Sequence, residues 1–515
     1  MKLASKKLFS LGLGGLLAFS MVGCGKTDTA TSTTPEPSTD TTQASPSAST
    51  STEPSASAEE VVKPEKITMM VNGTFLDEAS GQKEVVAAYK DLTGIDLQIT
   101  TIDHNSYNDQ LSLAFASGDV PDVVILSAEY YAAYANQGAL ADISTYWENS
   151  ETKASGRMNE SYIDSLYIDG GLYGFTAARG NGCLTYLRQD WLDKLGLKAP
   201  TTYDEYINVL RAFVNNDPDG NGKNDTMGVT AAGIMSGEAP FTNYLPEFWQ
   251  DAYPDFYQKA DGSWVDGFNE QATADALQRL KDAYAEGLID MEVTTNKTSS
   301  CRDKYYAGQV GAFTYWAGKW AATIDDNLKA VNPDGSIVGI APIKELGQYI
   351  ERQSPVIAIT NKCENPAGVF KYLFEVMVDG DKGQTIFNYG AEGTHYTLDG
   401  GKMTQLPDPE VPTSKFTSIF VDPLIGIANW TNGDPMSDSR DPLVSTSNDI
   451  FMNNSKIAPV IVSNDTMSNY SATSLDIRTV IVTDVVTGDM TVEQGMASYK
   501  EQSAAMVDEI LASLK

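Results

Sequence analysis

Histidine and cysteine are scarce in this chain of 515 residues, and each shortage argues against one class of chemistry. The two histidines, His104 and His395, are too few for the histidine-rich ligand sets of catalytic zinc sites. Besides one cysteine near the start, the chain has only Cys183, Cys301 and Cys363, which are widely spaced and form no CxxC pair. Neither a disulfide framework nor a cysteine zinc site is therefore indicated.

Basic residues are also few in comparison with acidic ones. The chain has 36 Lys and Arg residues against 69 Asp and Glu residues, which gives a formal net charge of −33. Such a surface repels polyanions, so we expect neither nucleic acid nor an anionic lipid surface as a partner. A strongly anionic ligand is disfavoured for the same reason, unless a local basic pocket overrides the overall charge.

The amino terminus has the charge asymmetry of a secretory signal. Three lysines stand among the first seven residues, and the apolar run Leu8–Val22 that follows them is too short to span a bilayer comfortably. The run ends in the letters MVGC, with Cys24 last, and resembles the bacterial lipobox, in which the cysteine is lipidated and becomes the first mature residue. Methionine replaces the usual leucine at the first lipobox position, and an ordinary signal peptide cleaved elsewhere is the alternative.

Residues 25–64 follow this signal and consist of Thr, Ser, Pro and Ala with a few acids. This composition cannot bury enough apolar surface to offset chain entropy, so a disordered tether is predicted. A tether of this length has a root-mean-square reach of roughly 35 Å. It would hold a globular body clear of a membrane while that body captures something from outside.

The remaining sequence alternates strand and helix patterns. Strands are predicted over Ile67–Val71, Asp96–Thr101 and Val123–Leu126, and helices over Lys83–Leu92 and Tyr107–Ala116. The third strand is apolar throughout, which is typical of a sheet buried on both faces. The fold class is therefore predicted to be α/β with largely parallel sheets.

One stretch, Lys304–Trp320, combines a predicted buried strand with aromatic residues at the junction to the next helix. The apolar run Val310–Thr314 predicts a strand, and Tyr315, Trp316 and Trp320 follow it before and within the next predicted helix. Ligands of α/β domains bind at the carboxyl ends of strands. Aromatic rings at such an end suggest a sugar, whose C–H face packs on them; the alternative is that the rings belong to the core.

A helix with a clear start precedes an acidic loop. Thr202 and Glu205 predict a capping box, and Tyr206, Leu210 and Phe213 form one apolar face of the helix.

The loop after this helix has the spacing of a calcium site. Oxygen-bearing side chains stand at its first, third, fifth and ninth positions, with Gly222 at the sixth and a backbone carbonyl at the seventh. The candidate ligands are Asp217, Asp219, Asn221, Lys223 and Asp225. Gly228 replaces the usual twelfth-position glutamate, so a bidentate ligand must come from elsewhere or the site is weaker. We expect a structural calcium ion and no catalytic cofactor; a solvated turn is the alternative.

Several segments occur in the order found in one known family. They include GDVPDVVILSAEYYAAYANQGALADISTYW from residue 118, GGLYGFTAARGNGCLTYLRQDWLDKLGL from residue 170, FKYLFEVMVDGDKGQTIFNYGAEGTHY from residue 370 and RTVIVTDVVTGDMTVEQGMASYKEQ from residue 478. Residues 65–515 resemble extracellular solute-binding protein family 1, the receptors of sugar ABC transporters. Within it, the chain is most similar to the larger Gram-positive lipoproteins related to alginate-oligosaccharide receptors, and more distantly to maltose-binding protein.

The resemblance implies a two-lobed periplasmic-binding-protein-like fold with about three crossings between the lobes. By position, the crossings are expected near Ala178–Gly180, Ala341–Ile343 and Tyr389–Tyr396. Lobe 1 would comprise residues 65–178 plus 343–392, and lobe 2 residues 179–342 plus 393–515. Such lobes close on a ligand like a hinge.

The expected cleft draws on both lobes and on the crossings. The candidate ligand-binding residues are Glu129 and Tyr130 from lobe 1, Arg179 and Asn181 at the first crossing, Tyr244, Tyr315, Trp316, Trp320 and Trp430 from lobe 2, and Glu392 at the third crossing. For each polar candidate, the alternative is a solvated or hinge-stabilising role.

The resemblance implies a monomeric, lipid-anchored receptor on the outer face of the membrane that delivers an oligosaccharide to an ABC permease and is not an enzyme. A secreted glycoside hydrolase is one alternative, but no carboxylate pair stands out at a strand end. A receptor of the same fold for a non-sugar solute such as a peptide is the other. A peptide site needs groups for termini and main chain, whereas many aromatics with Asn and Glu among them suit sugars better.

Overall fold

The computed structural model of the chain describes residues 61–73, 77–103, 106–237, 239–407, 420–458 and 464–514. Cys24, the predicted signal peptide and nearly all of the predicted tether lie outside the described residues. Within the described ranges, no helix has the length and apolar character needed to cross a membrane.

The strands and helices alternate along most of the chain, as the sequence patterns predict. The strands are β1 (Lys66–Asn72), β2 (Asp96–Ile102), β3 (Val123–Leu126), β4 (Tyr167–Ile168), β5 (Gly171–Leu172), β6 (Cys183–Arg188), β7 (Met227–Thr230), β8 (Phe256–Gln258), β9 (Trp264–Asp266), β10 (Val310–Trp316), β11 (Ile337–Gly339), β12 (Tyr349–Glu351), β13 (Val356–Ile359), β14 (Tyr396–Asp399), β15 (Lys402–Gln405) and β16 (Ser455–Ile457).

The helices are α1 (Gln82–Thr93), α2 (Tyr107–Ser117), α3 (Ala128–Asn136), α4 (Ser144–Glu148), α5 (Glu151–Ala154), α6 (Ser161–Asp164), α7 (Gln189–Leu195), α8 (Tyr203–Asn215), α9 (Pro246–Trp249), α10 (Gln271–Ala285), α11 (Thr298–Tyr306), α12 (Lys319–Val331), α13 (Pro366–Val369), α14 (Glu375–Met377), α15 (Lys382–Tyr389), α16 (Pro442–Asn453), α17 (Asp465–Thr487) and α18 (Val492–Ser513). Short 3-10 turns cover Gly267–Asn269 and Ser437–Ser439, and a π-helical turn covers Phe370–Phe374.

Two four-stranded sheets form the centres of the fold. The first has the order β13-β3-β1-β2, with β1 parallel to both β2 and β3. The second has the order β11-β6-β10-β7, with β10 parallel to β7 and antiparallel to β6. All four residues of β3 and all six of β6 are buried, which matches strands covered on both faces.

The antiparallel pairs show where the two sheets come together. In the first sheet Val356, the first residue of β13, pairs with Leu126, the last residue of β3. In the second sheet Cys183, the first residue of β6, pairs with Trp316, the last residue of β10. The strands β6 and β13 each follow a passage between the sheets, so the carboxyl ends of β3 and β10 lie beside these passages.

Each sheet has its own hydrophobic core. The first core takes its residues from 67–178, 356–391 and 420–428, and the second takes most of its residues from 184–349 and 481–499. Helix α8 shows how one element joins its core: Tyr206, Leu210 and Phe213 are fully buried, and the Phe213 ring meets Trp191 edge-on at 5.4 Å. The predicted apolar face of this helix therefore packs against the second sheet.

The cores bear on where the chain crosses between lobes. The first core ends at Ala178 and β6 begins at Cys183, so the first passage is residues 179–182. Tyr349 packs in the second core and Val356 packs in the first core, so the second passage covers residues 350–355. It therefore comes later in the chain than the expected Ala341–Ile343.

The third passage also comes later than expected. Ala428 belongs to the first core, and Phe451 of α16 belongs to the second core, so this passage covers residues 429–441 and follows the expected Tyr389–Tyr396. We therefore propose that lobe 1 comprises residues 61–178 and 356–428, and lobe 2 residues 183–349 and 442–514.

Candidate functional site

A cavity of about 580 Å³ lies between the two lobes, and we refer to it as the interlobe cavity. The start of α3 contributes Glu129, Tyr130 and Ala133 from lobe 1. Lobe 2 contributes, among others, Phe241, Asp255, Phe256, Tyr470, Ser474 and Arg478. Of the sequence-predicted ligand-binding residues, this cavity brings together Glu129 and Tyr130, which follow the carboxyl end of β3.

Aromatic and apolar side chains form much of the wall of this cavity. Tyr130 is held by its neighbour on α3, Tyr134, with ring centroids 5.9 Å apart, and Tyr134 stacks in turn on Phe115 at 4.0 Å. Burial raises the pKa of Tyr130, and the nearby Tyr134 adds to the effect. Neutral aromatic rings held in place by packing can accept the C–H face of a sugar ring, because both surfaces are apolar.

A buried ionic network lies on the lobe 2 side of the cavity. Arg478 of α17 donates from Nη1 to Asp255 Oδ1 at 2.5 Å, and its Nη2 lies 3.5 Å from Asp266 Oδ1. Tyr499 donates to Asp266 Oδ2 at 2.9 Å and accepts from Arg478 Nε at 3.3 Å. Burial disfavours the charge of Arg478, but the two carboxylates outweigh it, so the pKa of the guanidinium is raised.

One buried hydroxyl group that lines this cavity, the Ser474 Oγ, has no hydrogen-bond partner among the described residues. The Tyr253 hydroxyl, two residues before Asp255 in the chain, is also buried without such a partner. Ser474 is 4% exposed and Tyr253 is 7% exposed. Burial raises the pKa of Tyr253, which is not among the residues that line the cavity. A buried hydroxyl without a partner is costly, so a hydroxyl of a ligand would be a suitable partner for the Ser474 Oγ.

A second cavity, of about 350 Å³, lies against the other face of α3 and the passage residues Gly180 and 351–354. Here Arg179 Nε donates to Glu351 Oε2 at 3.1 Å, and its Nη2 contacts Glu351 Oε1. Glu351 is 1% exposed and also accepts from Ser455 Oγ at 2.8 Å. Arg179 is thus bound to the passage itself, which supports the hinge-stabilising alternative for this candidate.

Asn181, the other candidate of the first passage, is also engaged by its surroundings. Its Oδ1 accepts from the Gly182 amide at 2.8 Å, and its backbone carbonyl accepts from the Arg352 amide at 2.9 Å. Gly180 between these residues has no room for a side chain, since an added Cβ would lie 1.5 Å from the Arg352 carbonyl oxygen. The first and second passages therefore lie in direct backbone contact.

The aromatic residues after Val310–Thr314 divide between the core and a half-buried position. Strand β10 continues to Trp316, two residues beyond the prediction, because Tyr315 and Trp316 pair with β6. Tyr315 is only 5% exposed and accepts from Arg302 Nη1 at 2.6 Å. Trp320 meets the Tyr315 ring edge-on at 4.9 Å, with the Arg302 guanidinium 5.2 Å from the Trp320 ring centre. Trp316 is half-buried beneath Arg352 at 5.0 Å.

The remaining candidates lie in other environments. Tyr244 is half-buried and packs against the second core. Trp430 stacks on Tyr389 at 5.9 Å in a small separate cluster, and Glu392 is exposed in a bridge with Tyr396. None of these three, nor Tyr315, Trp316 or Trp320, lines the two cavities described above. Their part in a ligand site stays a prediction.

The acidic loop after α8 gathers its oxygen-bearing side chains closely. Asp217 accepts the amides of Asn221 and Gly222 at 3.1 and 3.0 Å, and Asn221 Nδ2 reaches Asp219 at 2.6 Å and Asp225 at 3.0 Å. Gly222 has φ +77°, which favours glycine at the sixth position. A hydrogen bond from Asp219 lowers the pKa of Asp217, and burial raises the pKa of Asp219. Across the described residues, no group of three His, Cys, Asp or Glu side chains is arranged to hold a metal ion.

Sequence reasoning missed the lobe 2 side of the interlobe cavity. Asp255, Phe256, Tyr470 and Arg478 were not among the candidates, although they lie across from Glu129 and Tyr130. One signal was available, because Arg478 is a lone charge in the apolar run IRTVIV. A buried arginine needs an acidic partner, but the sequence does not say which of 69 acids supplies it.

Comparison with known proteins shows that the sequence matches a family model and is similar to several bacterial proteins. The sequence model of the family described as bacterial extracellular solute-binding protein matches residues 72–374. The chain is 27% identical to Lipoprotein LipO of Bacillus subtilis over 344 residues, which is 64% of this chain and 67% of LipO. It is 23% identical to the polygalacturonan/rhamnogalacturonan-binding protein YtcQ of Bacillus subtilis over 454 residues, which is 81% of this chain and 83% of YtcQ.

Among solved structures, the chain is similar to the alginate-binding protein AlgQ2 in a crystal structure without calcium ion. The TM-score is 0.61 with 21% sequence identity, and the match covers 87% of this chain and 97% of AlgQ2. This likeness concerns the fold, and it confirms the predicted two-lobed α/β architecture.

Proposed function

The chain belongs to the bacterial extracellular solute-binding protein family, and from this membership we propose that it is a lipid-anchored receptor that binds an oligosaccharide between its lobes and delivers it to an ABC importer. The family consists of solute receptors rather than enzymes. The named ligand of YtcQ is a polysaccharide, which supports a carbohydrate ligand here as well.

The interlobe cavity is the observation that carries the proposal. Its volume of about 580 Å³ suits a ligand of a few sugar units, and it lies where two lobes can close on it. Tyr130, Phe256 and Tyr470 supply apolar ring surface, while Ser474 Oγ supplies a buried polar atom that has no partner among the described residues. A pyranose offers both kinds of surface at once: C–H faces for the rings and hydroxyls for the polar atom.

Closure of the lobes would turn binding into a shape that a permease can recognise. The passages 179–182 and 350–355 lie against each other, with the Arg352 amide bonded to the Asn181 carbonyl. Short passages that are bonded to each other suit a hinge motion of the lobes. A sugar that contacts both Tyr130 of lobe 1 and Tyr470 of lobe 2 would favour the closed state.

Calorimetric titration of the protein with a panel of oligosaccharides tests this function. We expect at least one sugar to bind, and Tyr130→Ala to weaken its binding by about 1–3 kcal/mol, the scale of nucleic-acid bases stacked on aromatic side chains. Tyr284→Ala is the matched control, because Tyr284 is also half-buried but lies on α10, away from the cavity. Equal affinity of Tyr130→Ala and the parent protein would count against this site, and release of shorter sugars would indicate a hydrolase instead.

We also propose that the loop Asp217–Asp225 binds a structural calcium ion. Three carboxylates, the Asn221 carboxamide and the Lys223 carbonyl stand at the spacing that calcium loops use, and the side chains of Asp219, Asn221 and Asp225 already converge. The ion would neutralise the repulsion among these carboxylates and fix the loop that links α8 to β7.

Chelation should therefore lower the melting temperature of the protein. Calcium at about 100 times its Kd stabilises the folded state by about 2.7 kcal/mol. Asp217→Ala should abolish the difference between calcium and chelator, whereas Asp261→Ala, in an exposed turn of lobe 2, should retain it. Melting curves of the parent protein that coincide with and without chelator would argue against the ion.

Lipidation at Cys24 is the third part of the proposal. The lipobox resemblance and the lipoprotein LipO among the relatives support it. Cys24→Ser should move the protein from the membrane fraction to the medium, and retention of this variant on the membrane would contradict anchoring at Cys24.

A further inference from the structure

We propose that the interlobe cavity selects an uncharged stretch of glycan and discriminates against uronate units. The inference rests on the proposed function and makes its substrate class more specific. It sets this chain apart from its relative YtcQ, whose name gives polygalacturonan, a carboxylated polysaccharide, as a ligand.

The cation that lines the interlobe cavity is already paired with acidic side chains. Among the described residues that line it, Arg478 is the only cation, and Glu129 and Asp255 are the acids. Arg478 is already held by Asp255 at 2.5 Å and lies 3.5 Å from Asp266, whose side chain is 3% exposed. One guanidinium thus faces two carboxylates, and Glu129 adds a further acid to the lining, so no positive charge is left over for a ligand carboxylate.

The ion pair of Arg478 and Asp255 is too deeply buried to exchange partners easily. The Arg478 side chain is 3% exposed and that of Asp255 is 15% exposed, so neither can turn to solvent to rearrange its partners. Arg478 also bonds to Tyr499, and its guanidinium lies 5.2 Å from the ring centre of Phe256. A uronate could recruit Arg478 only by displacing Asp255, which would leave that carboxylate unpaired in the wall.

The groups left for a ligand carry no positive charge. The Ser474 Oγ is buried without a partner among the described residues, and a hydroxyl can both donate and accept. Glu129 is exposed at the rim, where its carboxylate accepts from Ser127 Oγ at 2.9 Å. Sugar hydroxyls can donate to Glu129 and bond with the Ser474 hydroxyl, whereas a sugar carboxylate would be repelled by Glu129.

The cations near the carboxyl end of β10 do not change this balance. Arg302 and Arg352 lie over Trp320 and Trp316 respectively, and neither lines the interlobe cavity. Arg352 lines the second cavity, but Asp169 and the ion pair of Glu351 with Arg179 lie there too. Neither cavity therefore offers a surplus of positive charge.

The test compares two ligands that differ only in charge. Tetragalacturonate and its carboxyl-reduced product, the tetrasaccharide of galactose with the same linkage, are titrated calorimetrically into the full-length protein at low salt, alongside neutral gluco-, xylo- and fructo-oligosaccharides. We expect neutral sugars to bind, and the uronate to bind at least about tenfold more weakly than its reduced form, because like charges are brought together in the cavity. Raising the salt concentration should reduce the difference between these two affinities, because salt screens the repulsion.

Two variants test whether Glu129 causes the preference for the reduced sugar over the uronate. Glu129→Gln should narrow the ratio of the two affinities, since it removes one repelling charge and keeps the shape. Glu364→Gln changes the net charge equally at an exposed position of lobe 1 and should leave the ratio as it is. The inference would be overturned if the uronate bound as tightly as its reduced form, or if Glu129→Gln left the ratio of the two affinities unchanged. In both cases the protein could still be a sugar receptor. Absence of binding by every sugar would overturn the proposed function and this inference with it.

Discussion

Replacing Arg179 by alanine is expected to lower the free energy of unfolding by about 3–5 kcal/mol, the usual cost of removing one partner from a buried ion pair. Glu351 is 1% exposed, and it is bound by both Nε and Nη2 of Arg179. Without the guanidinium, the Glu351 carboxylate would keep only Ser455 Oγ as a hydrogen-bond partner among the contacts described. Urea unfolding followed by circular dichroism measures the change.

The matched control is another arginine–glutamate pair on the surface. Arg211 Nε donates to Glu286 Oε1 at 2.5 Å, but the two side chains are 46% and 41% exposed. Water and salt screen such a pair, so Arg211→Ala should cost less than about 1 kcal/mol. Equal and small losses in both variants would show that the passage pair contributes no more than a surface pair.

A double variant separates the charge from the packing. If the cost of Arg179→Ala comes from the unpaired carboxylate, Arg179→Ala with Glu351→Gln should recover part of the lost stability, since the amide is neutral. If the double variant is as unstable as the sum of the two single ones, the loss reflects packing of the arginine against Tyr162, whose ring centre is 5.8 Å away.

Local patterns in the sequence predicted the local elements well. The apolar run Val123–Leu126 is a fully buried strand, as predicted, because burial on both faces needs apolar residues at every position. Helix α8 begins after Thr202, whose hydroxyl accepts the Glu205 amide at 3.3 Å. The Glu205 side chain bonds to Thr201 instead of closing the box on Thr202, so only half of the predicted capping box forms.

The site depends on partners that are distant in the chain, and no local pattern carries that information. Arg478 and Asp255 are 223 residues apart, and Arg179 and Glu351 are 172 apart. Tyr315 and Trp316 illustrate a second difficulty. Adjacent residues of a strand point to opposite faces of the sheet, so both rings could not line one cavity once β10 extended to Trp316.

One fully buried glutamate in lobe 2 is expected to make stability fall as the pH rises from about 4.5 to about 7. Glu247 is 0% exposed; its Oε1 accepts from Thr185 Oγ1 at 2.5 Å, and its Oε2 has no partner among the described residues. Thr185 in turn bonds to Thr314 Oγ1 at 2.8 Å. Burial raises the pKa of Glu247 from 4.5 to about 7.

Stability falls with rising pH because the folded state holds the Glu247 proton more tightly than the unfolded chain does. Between pH 4.5 and about 7 the folded protein keeps the proton on Glu247, whereas the unfolded chain has lost it. The stabilisation is complete below pH 4.5 and is lost as the pH rises through the folded pKa. A gap of about 2.5 pKa units, the difference between about 7 and 4.5, corresponds to about 3 kcal/mol at 1.36 kcal/mol per unit.

Glu247→Gln should therefore flatten the pH dependence of unfolding, because glutamine is neutral at every pH and nearly the same shape. Between pH 5 and pH 8, the parent protein should lose about 2.5 kcal/mol more than Glu247→Gln in urea unfolding, since part of the loss already occurs below pH 5. All other titrating groups are common to both proteins and cancel in this difference. Glu84→Gln, at an exposed position of α1, should follow the parent curve. Parallel curves for the parent and Glu247→Gln would mean that Glu247 is ionised in the folded protein, and its unpartnered Oε2 would then need a cation or a donor close enough to stabilise that charge.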